Sequence, residues 1–369
     1  MTRHLLTTHL RSAAPVLMVA AGGFAAPHAD AQSQSEVYDH VEKRLNELES
    51  KVEENEGESG SATTLEVYGA LEPYIATKKD DEGESRSDFT DNGSIIGFSG
   101  DHRLGNGLTV FGVAEFEFLL DSSDNSFALD EGYLGAEGDF GRVQLGNFDS
   151  VYEDLIIDAT EVAELAEITD EAVSSEDNQI AYYSPSLNGF AFRAQVRYFG
   201  DGEENNDTDS AEAGLSLAGG YTGSNWGIYA GYDDRGAERV TQYDANGKEL
   251  GFKDFADEGT YGLAGTYELG AVEMAAKYAV QELTDNHPNG DDKSFAALRS
   301  TFNYGSGDLY AAVQDIAHDQ NGSEDDRTEL TVGIAHGVTE ELELWAEAGR
   351  FDKENDAGDI YGVGAIYEF

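Results

Sequence analysis

From Leu65 onward, apolar and polar residues alternate with a period of two, segment after segment. In 190–198, Phe190, Phe192, Ala194, Val196 and Tyr198 share one face, and Ala191, Arg193, Gln195 and Arg197 the other. In 108–118, Leu108, Val110, Ala114, Phe116 and Phe118 oppose Thr109, Glu115 and Glu117. In 271–281, Val272, Met274, Ala276, Tyr278 and Val280 oppose Glu273, Lys277 and Gln281. Period two puts successive side chains on opposite faces of an extended strand. Sixteen segments read this way: 65–76, 93–102, 108–119, 127–138, 141–148, 178–185, 189–199, 211–221, 224–232, 259–269, 271–282, 293–304, 307–317, 327–336, 339–350 and 359–369. Most are near the length, about 9–11 residues, that crosses a bilayer as a tilted strand.

The connections alternate too. Short turns follow the even segments, at 103–107, 139–140, 186–188, 222–223, 270, 305–306 and 337–338. Long polar loops follow the odd ones, at 77–92, 149–177, 200–210, 233–258, 283–292, 318–326 and 351–358, with 120–126 intermediate. Short turns on one rim and long loops on the other describe an antiparallel, up-and-down, sixteen-stranded transmembrane β-barrel. Closure removes the edges that an open sheet would expose.

Composition narrows the function classes. With 22 Lys+Arg against 74 Asp+Glu the net charge is -52, which repels any phosphate backbone and excludes a nucleic-acid partner. The chain has no Cys, so thiol chemistry and Cys metal sites are excluded. No apolar run is long enough for a spanning helix. Residues 1–31 read as a secretory signal peptide: Arg3 and Arg11 precede the apolar stretch 13–26, and Ala29-Asp30-Ala31 supplies the cleavage pattern. Residues 32–58 carry an amphipathic helix, with Tyr38, Val41, Leu45, Leu48 and Val52 at heptad spacing. That seam fits a short self-associating coil or a solvated helix. A linker, 59–64, leads to the barrel domain, 65–369.

Several pieces, in order, resemble the general diffusion porins of Gram-negative outer membranes. They are Val67-Tyr68-Gly69, Gly97-Phe98-Ser99-Gly100 before Leu104-Gly105-Asn106-Gly107-Leu108, Tyr133-Leu134-Gly135 before the stretch 138–146, then Asn178 to Pro185 with Asn188-Gly189-Phe190, and the terminal Phe369. The resemblance implies an outer-membrane homotrimer in contact with lipid and lipopolysaccharide. It also implies passage of inorganic cations and small hydrophilic solutes, and a third loop, 149–177, folded into the barrel.

Asp158 with Glu161 three residues on predicts a helix from Ala159, with Val162 and Leu165 toward the wall and Glu164, Glu167 and Glu171 on another face. By analogy with the family, Glu153, Asp154, Asp158, Glu161 and Glu164 are the candidate constriction residues. The family's opposing arginines are missing: Ile95, Asp130, Asn147 and Ser175 stand at their motif positions. Alternation aims Arg193, Arg197, Lys277 and Arg299 inward as a candidate substitute ladder. Glu66, Glu72, Glu115, Glu117, Glu273 and Glu343 point the same way and outnumber them. The expectation is a cation-preferring pore whose preference fades with salt.

Other classes are weaker. The five histidines beyond residue 31 (His40, His102, His287, His318 and His336) form no hydrolase motif, so no enzyme and no cofactor are expected. The stretches 201–209 and 285–292 are Asp-rich without the ligand spacing of a calcium site. A substrate-specific channel would want an aromatic track along the lumen; Tyr68, Tyr74 and Phe111 read as inward without forming one. A mainly structural envelope barrel is the third reading.

Overall fold

The computed structural model describes residues 63–80, 84–104, 106–121, 127–171, 173–174, 176–198, 213–234, 238–243, 249–255, 259–282, 292–320, 323–324, 326–351 and 358–369. The expected signal peptide and coil lie outside these residues, as does Ser175.

Strand pairing closes on itself. All pairings in the barrel are antiparallel, and the last strand, Gly358–Glu368, pairs with Thr63–Leu71 through Ala70↔Glu368 and with Pro73–Asp80 through Tyr74↔Gly364. Phe369 completes the seam by exchanging backbone hydrogen bonds with Gly69, both 3.0 Å. Two long staves are each broken in the middle: Thr63–Leu71 continues as Pro73–Asp80, and Ser85–Asp91 as Ser94–Arg103. Counted as staves, the barrel has the sixteen that the alternation predicts.

The first hairpin differs from expectation. The sequence pattern puts a loop at 77–92, yet Lys78↔Arg86 and Lys79↔Ser85 continue the ladder. A polar sequence does not stop a strand whose backbone groups are paired and whose side chains meet water. The 233–258 connection likewise contains a hairpin, Glu238–Tyr243 with Glu249–Phe255.

The alternation has the expected sense. Along Gly259–Leu269 the outward Leu263 is 58% exposed and the inward Ala264 4%. Inward positions facing the third loop are small (Ala264, Ala297, Ala312) or polar (Gln195, Gln314, Thr331). The core of the molecule is therefore the contact between this wall and that loop.

Candidate functional site

After the strand Gly141–Asn147 the chain leaves the wall and runs through the barrel interior until Gln179–Tyr183. Several apolar footholds seat it, the first being Val151 on Ala181 and Ala218. Tyr152, Ile156 and Ile157 pack on Ala264, where Gly231 and Gly262 lie flat: a Cβ on either glycine would strike Tyr152 and Ile156. Val162 and Ile168 pack on Ala297 and Ala312. Leu165 and Ala166 pack on Phe351 and Ile360, beside Gly349 and Gly362.

The predicted helix from Ala159 does not form. The only helix described in this loop is one turn, Glu153–Ile156, started by Ser150 Oγ accepting the Glu153 N–H at 3.0 Å. From Glu164 onward, several of the loop's N–H groups go to wall side chains instead of to carbonyls four residues back. Glu347 accepts from the backbone N–H of Glu164 (2.7 Å), Leu165 (2.8 Å) and Ala166 (2.9 Å), and from the Tyr310 hydroxyl (2.6 Å). Glu329 accepts from the Thr169 N–H (2.6 Å) and hydroxyl (2.7 Å). Asp233 does the same for Ser174, at 2.8 and 2.9 Å. Gln195 accepts the Val151 N–H at 2.9 Å, Gln314 donates to the Thr169 carbonyl at 2.5 Å, and the Thr331 hydroxyl donates to the Ala166 carbonyl. Charge-assisted bonds of this kind are about twice as strong as neutral ones, so they prevail over the weak helical signal of a short segment.

The four bases of the candidate ladder are matched to acids. Arg193 Nη1 lies 2.5 Å from Asp154 and Arg197 Nη2 2.5 Å from Asp177. Lys277, its side chain fully buried, reaches Asp170 at 3.2 Å and Glu171 at 2.8 Å, while Glu171 accepts the Tyr152 hydroxyl at 2.9 Å. Arg299 pairs with Glu273 on the adjacent strand. The candidate ladder is thus neutralised: three of its members strut the loop, and the fourth pairs within the wall.

The acids form a continuous cluster. On the loop, burial pushes Asp149 up to about 6, Glu161 to about 7, Asp158 and Glu167 to about 8 and Glu153 to about 9. Neighbouring carboxylates add to each shift: Asp149 acts on Glu153, Asp170 on Glu161, and Glu161 on both Asp158 and Glu167. Asp154 is tied to Arg193, and Glu164 accepts from Asn92 Nδ2 at 3.3 Å. The wall adds acids of its own. Glu115 lies in the fields of Asp130 and Asp149; Glu131 lies in the fields of Asp149, Glu115, Asp130 and Asp154. Glu117 sits over Gly93. Glu72 falls at the stave break, its N–H bonded to Ser94 Oγ at 3.0 Å. Glu66 is exposed near the short-turn rim, away from the loop.

Sequence reasoning missed the anchors Glu329, Glu347 and Asp233, although alternation alone places the first two inward. It also missed Arg142. That guanidinium lies 4.2 Å from the Phe111 ring centroid, 5.7 Å from Tyr133 and 5.8 Å from Tyr183.

Comparison with known proteins gives this barrel its family. The Gram-negative porin profile matches residues 14–368. The chain belongs to the Gram-negative porin family. The porin is 30% identical over 345 residues to a Halomonas protein named monosaccharide porin, covering 83% of this chain and 92% of that one. The major outer membrane protein of Halomonas elongata matches to the same extent. Among solved structures, an anion-selective porin from Comamonas acidovorans shares the fold at TM-score 0.66 and 18% identity, over 83% of this chain and all of that one. OmpT of Vibrio cholerae in its trimer form does so at TM-score 0.65 and 19% identity, over 84% and 100%. The protein is an outer-membrane porin, and the described residues of 149–177 pack against the inward face of its barrel.

Proposed function

We propose that this porin is a homotrimeric, cation-preferring diffusion channel for small hydrophilic solutes, with Glu153, Asp154, Asp158, Glu161 and Glu164 on its constriction loop. The observation that carries the reading is the pairing pattern. Arg193, Arg197, Lys277 and Arg299 are each taken by a carboxylate. Beyond those pairs, Asp149 and Asp154 on the loop lie in the field of Glu131, and Asp149 also in those of Glu115 and Asp130, so carboxylates gather on both the loop and the wall that faces it.

A carboxylate about 8 Å from a passing ion contributes roughly 0.5 kcal/mol in water, and several together about 2 kcal/mol, more than a tenfold bias. At about 1 M salt the Debye length falls to about 3 Å and the bias shrinks. The test is the zero-current potential of the purified protein in a planar bilayer under a KCl gradient, at low and high mean salt and at a pH of about 9, where the loop acids carry charge. A cation-selective sign that weakens with salt supports the reading; a zero or anion-selective value at low salt overturns it.

Sugar passage draws support from the Halomonas relative's name. The homotrimer draws support from the similarity to OmpT in its trimer form and from an outward face rich in exposed Leu, Val and Phe. Liposome swelling with sugars of graded size separates a size cut-off, expected here, from the saturation of a dedicated sugar channel.

A further inference from the structure

Arg142 differs from the other inward bases. Among the described residues it has no ion pair, in a lumen where Arg193, Arg197, Lys277 and Arg299 each have one. Its cross-strand neighbours are Glu137 on one side and Tyr183 on the other. Glu137 is exposed and does not pair with it. The guanidinium instead rests on Phe111, with the Tyr133 and Tyr183 rings beside it. Its Nε is shut off from solvent with no acceptor, while the residue as a whole stays half-exposed. The terminal nitrogens are therefore the groups that the lumen meets. A buried donor left unmatched beside an unpaired charge calls for a reason, and the aromatic bed supplies rigidity, not neutralisation.

The neighbourhood is dipolar. Tyr133 interacts with Arg142 on one side and Glu131 on the other, so a fixed guanidinium and a carboxylate flank one ring. Arg142 is two residues beyond the 139–140 turn, on the short-turn side of the constriction loop.

We propose that Arg142, held by Phe111, Tyr133 and Tyr183, is a carboxylate-docking subsite that favours zwitterionic solutes of α-amino acid chemistry over neutral solutes of the same size. The acid cluster takes the ammonium end and Arg142 the carboxylate. A simple anion is repelled by the cluster before it reaches Arg142, and a simple cation makes no use of Arg142. The forked guanidinium matches a carboxylate in two hydrogen bonds, which lysine does not.

The test uses four solutes of nearly one size: glycine (zwitterion), glycolamide (neutral), ethanolamine (cation) and glycolate (anion). Uptake is measured at low concentration in proteoliposomes holding the full chain, as wild type, R142K and R142Q. Wild type is expected to pass glycine about fivefold faster than glycolamide, the scale of one net hydrogen bond. R142Q is expected to lose that preference and R142K, which keeps the charge, to keep part of it with an unchanged ethanolamine-to-glycolate ratio; the lost charge in R142Q raises that ratio. Equal rates for glycine and glycolamide in wild type overturn the proposal even if neither variant folds. So does a preference that survives in R142Q, or one that falls only in step with the ethanolamine-to-glycolate ratio. Glycine and glycolamide both have zero net charge, so their comparison is independent of whether the pore prefers cations; the ethanolamine-to-glycolate ratio reports on that alone.

Discussion

Glu347→Gln removes one charge and almost no volume from the side chain on which the middle of the 149–177 loop hangs. The carboxylate accepts four hydrogen bonds, from Glu164, Leu165 and Ala166 N–H and from the Tyr310 hydroxyl, all between 2.6 and 2.9 Å. An amide offers one acceptor oxygen and turns its NH2 toward donors. The donors on the surviving oxygen lose their charge assistance, about 1 kcal/mol each, and those on the other side lose their acceptor, about 1–3 kcal/mol each. After local relaxation we expect about 3 kcal/mol, roughly a hundredfold in the ratio of docked to undocked loop. The anchors at Glu329, Asp233 and Lys277 remain, so only the centre of the loop is loosened. Single-channel recordings should show more open-channel noise and altered conductance, and liposome swelling a larger exclusion size. The heat-modifiable migration of the barrel on gels should be unchanged. Conductance, noise and exclusion size all equal to wild type would falsify the anchoring argument.

Three further outcomes follow from the same geometry. Because burial and neighbouring carboxylates raise the loop acids to between about 6 (Asp149) and about 9 (Glu153), their charge exists only above those values. Cation preference in the zero-current potential should therefore fall as pH is lowered from about 9 to 5, well above the ordinary carboxylate range. By the same sign these acids favour the docked loop when protonated and oppose it as pH rises through those values. Lys277→Met strips Asp170 and Glu171 of their buried counter-charge, a loss of about 3–5 kcal/mol, and should lower the temperature at which the barrel unfolds in detergent. Gly262→Val drives a side chain into Tyr152 and Ile156, pushing the one-turn helix toward the passage, and should reduce single-channel conductance without changing the barrel's far-UV circular dichroism.

The barrel was legible because its signal is periodic and redundant. Leu263 exposed and Ala264 buried repeats what alternation says along the whole strand, and each further strand repeats it again. The wall side of the loop was legible as far as hydrophobicity reaches: Val162 and Leu165 do pack on the wall. The loop's backbone was not legible. A capping pattern at Asp158 is a local signal, whereas Glu347 and Glu329 come from strands more than 150 residues away in sequence and claim the N–H groups a helix would need. The role of the bases was hidden for the same reason. Alternation says that Lys277 points inward; only the fold says that Asp170 and Glu171 are there to meet it. Arg142 escaped notice because its partners are rings rather than charges.

The ties of the loop reach wall strands from Phe190–Tyr198, through Gln195, round to Leu342–Phe351, through Glu347, with Asp233, Lys277, Gln314 and Glu329 between. A cylinder with a member fastened across its bore resists ovalisation as a wheel with spokes does. Lateral pressure from the bilayer that would flatten this barrel must first stretch those ties. The aperture is then gauged by bonds inside the protein, and the lipid around it is free to vary in tension without resetting the width of the passage.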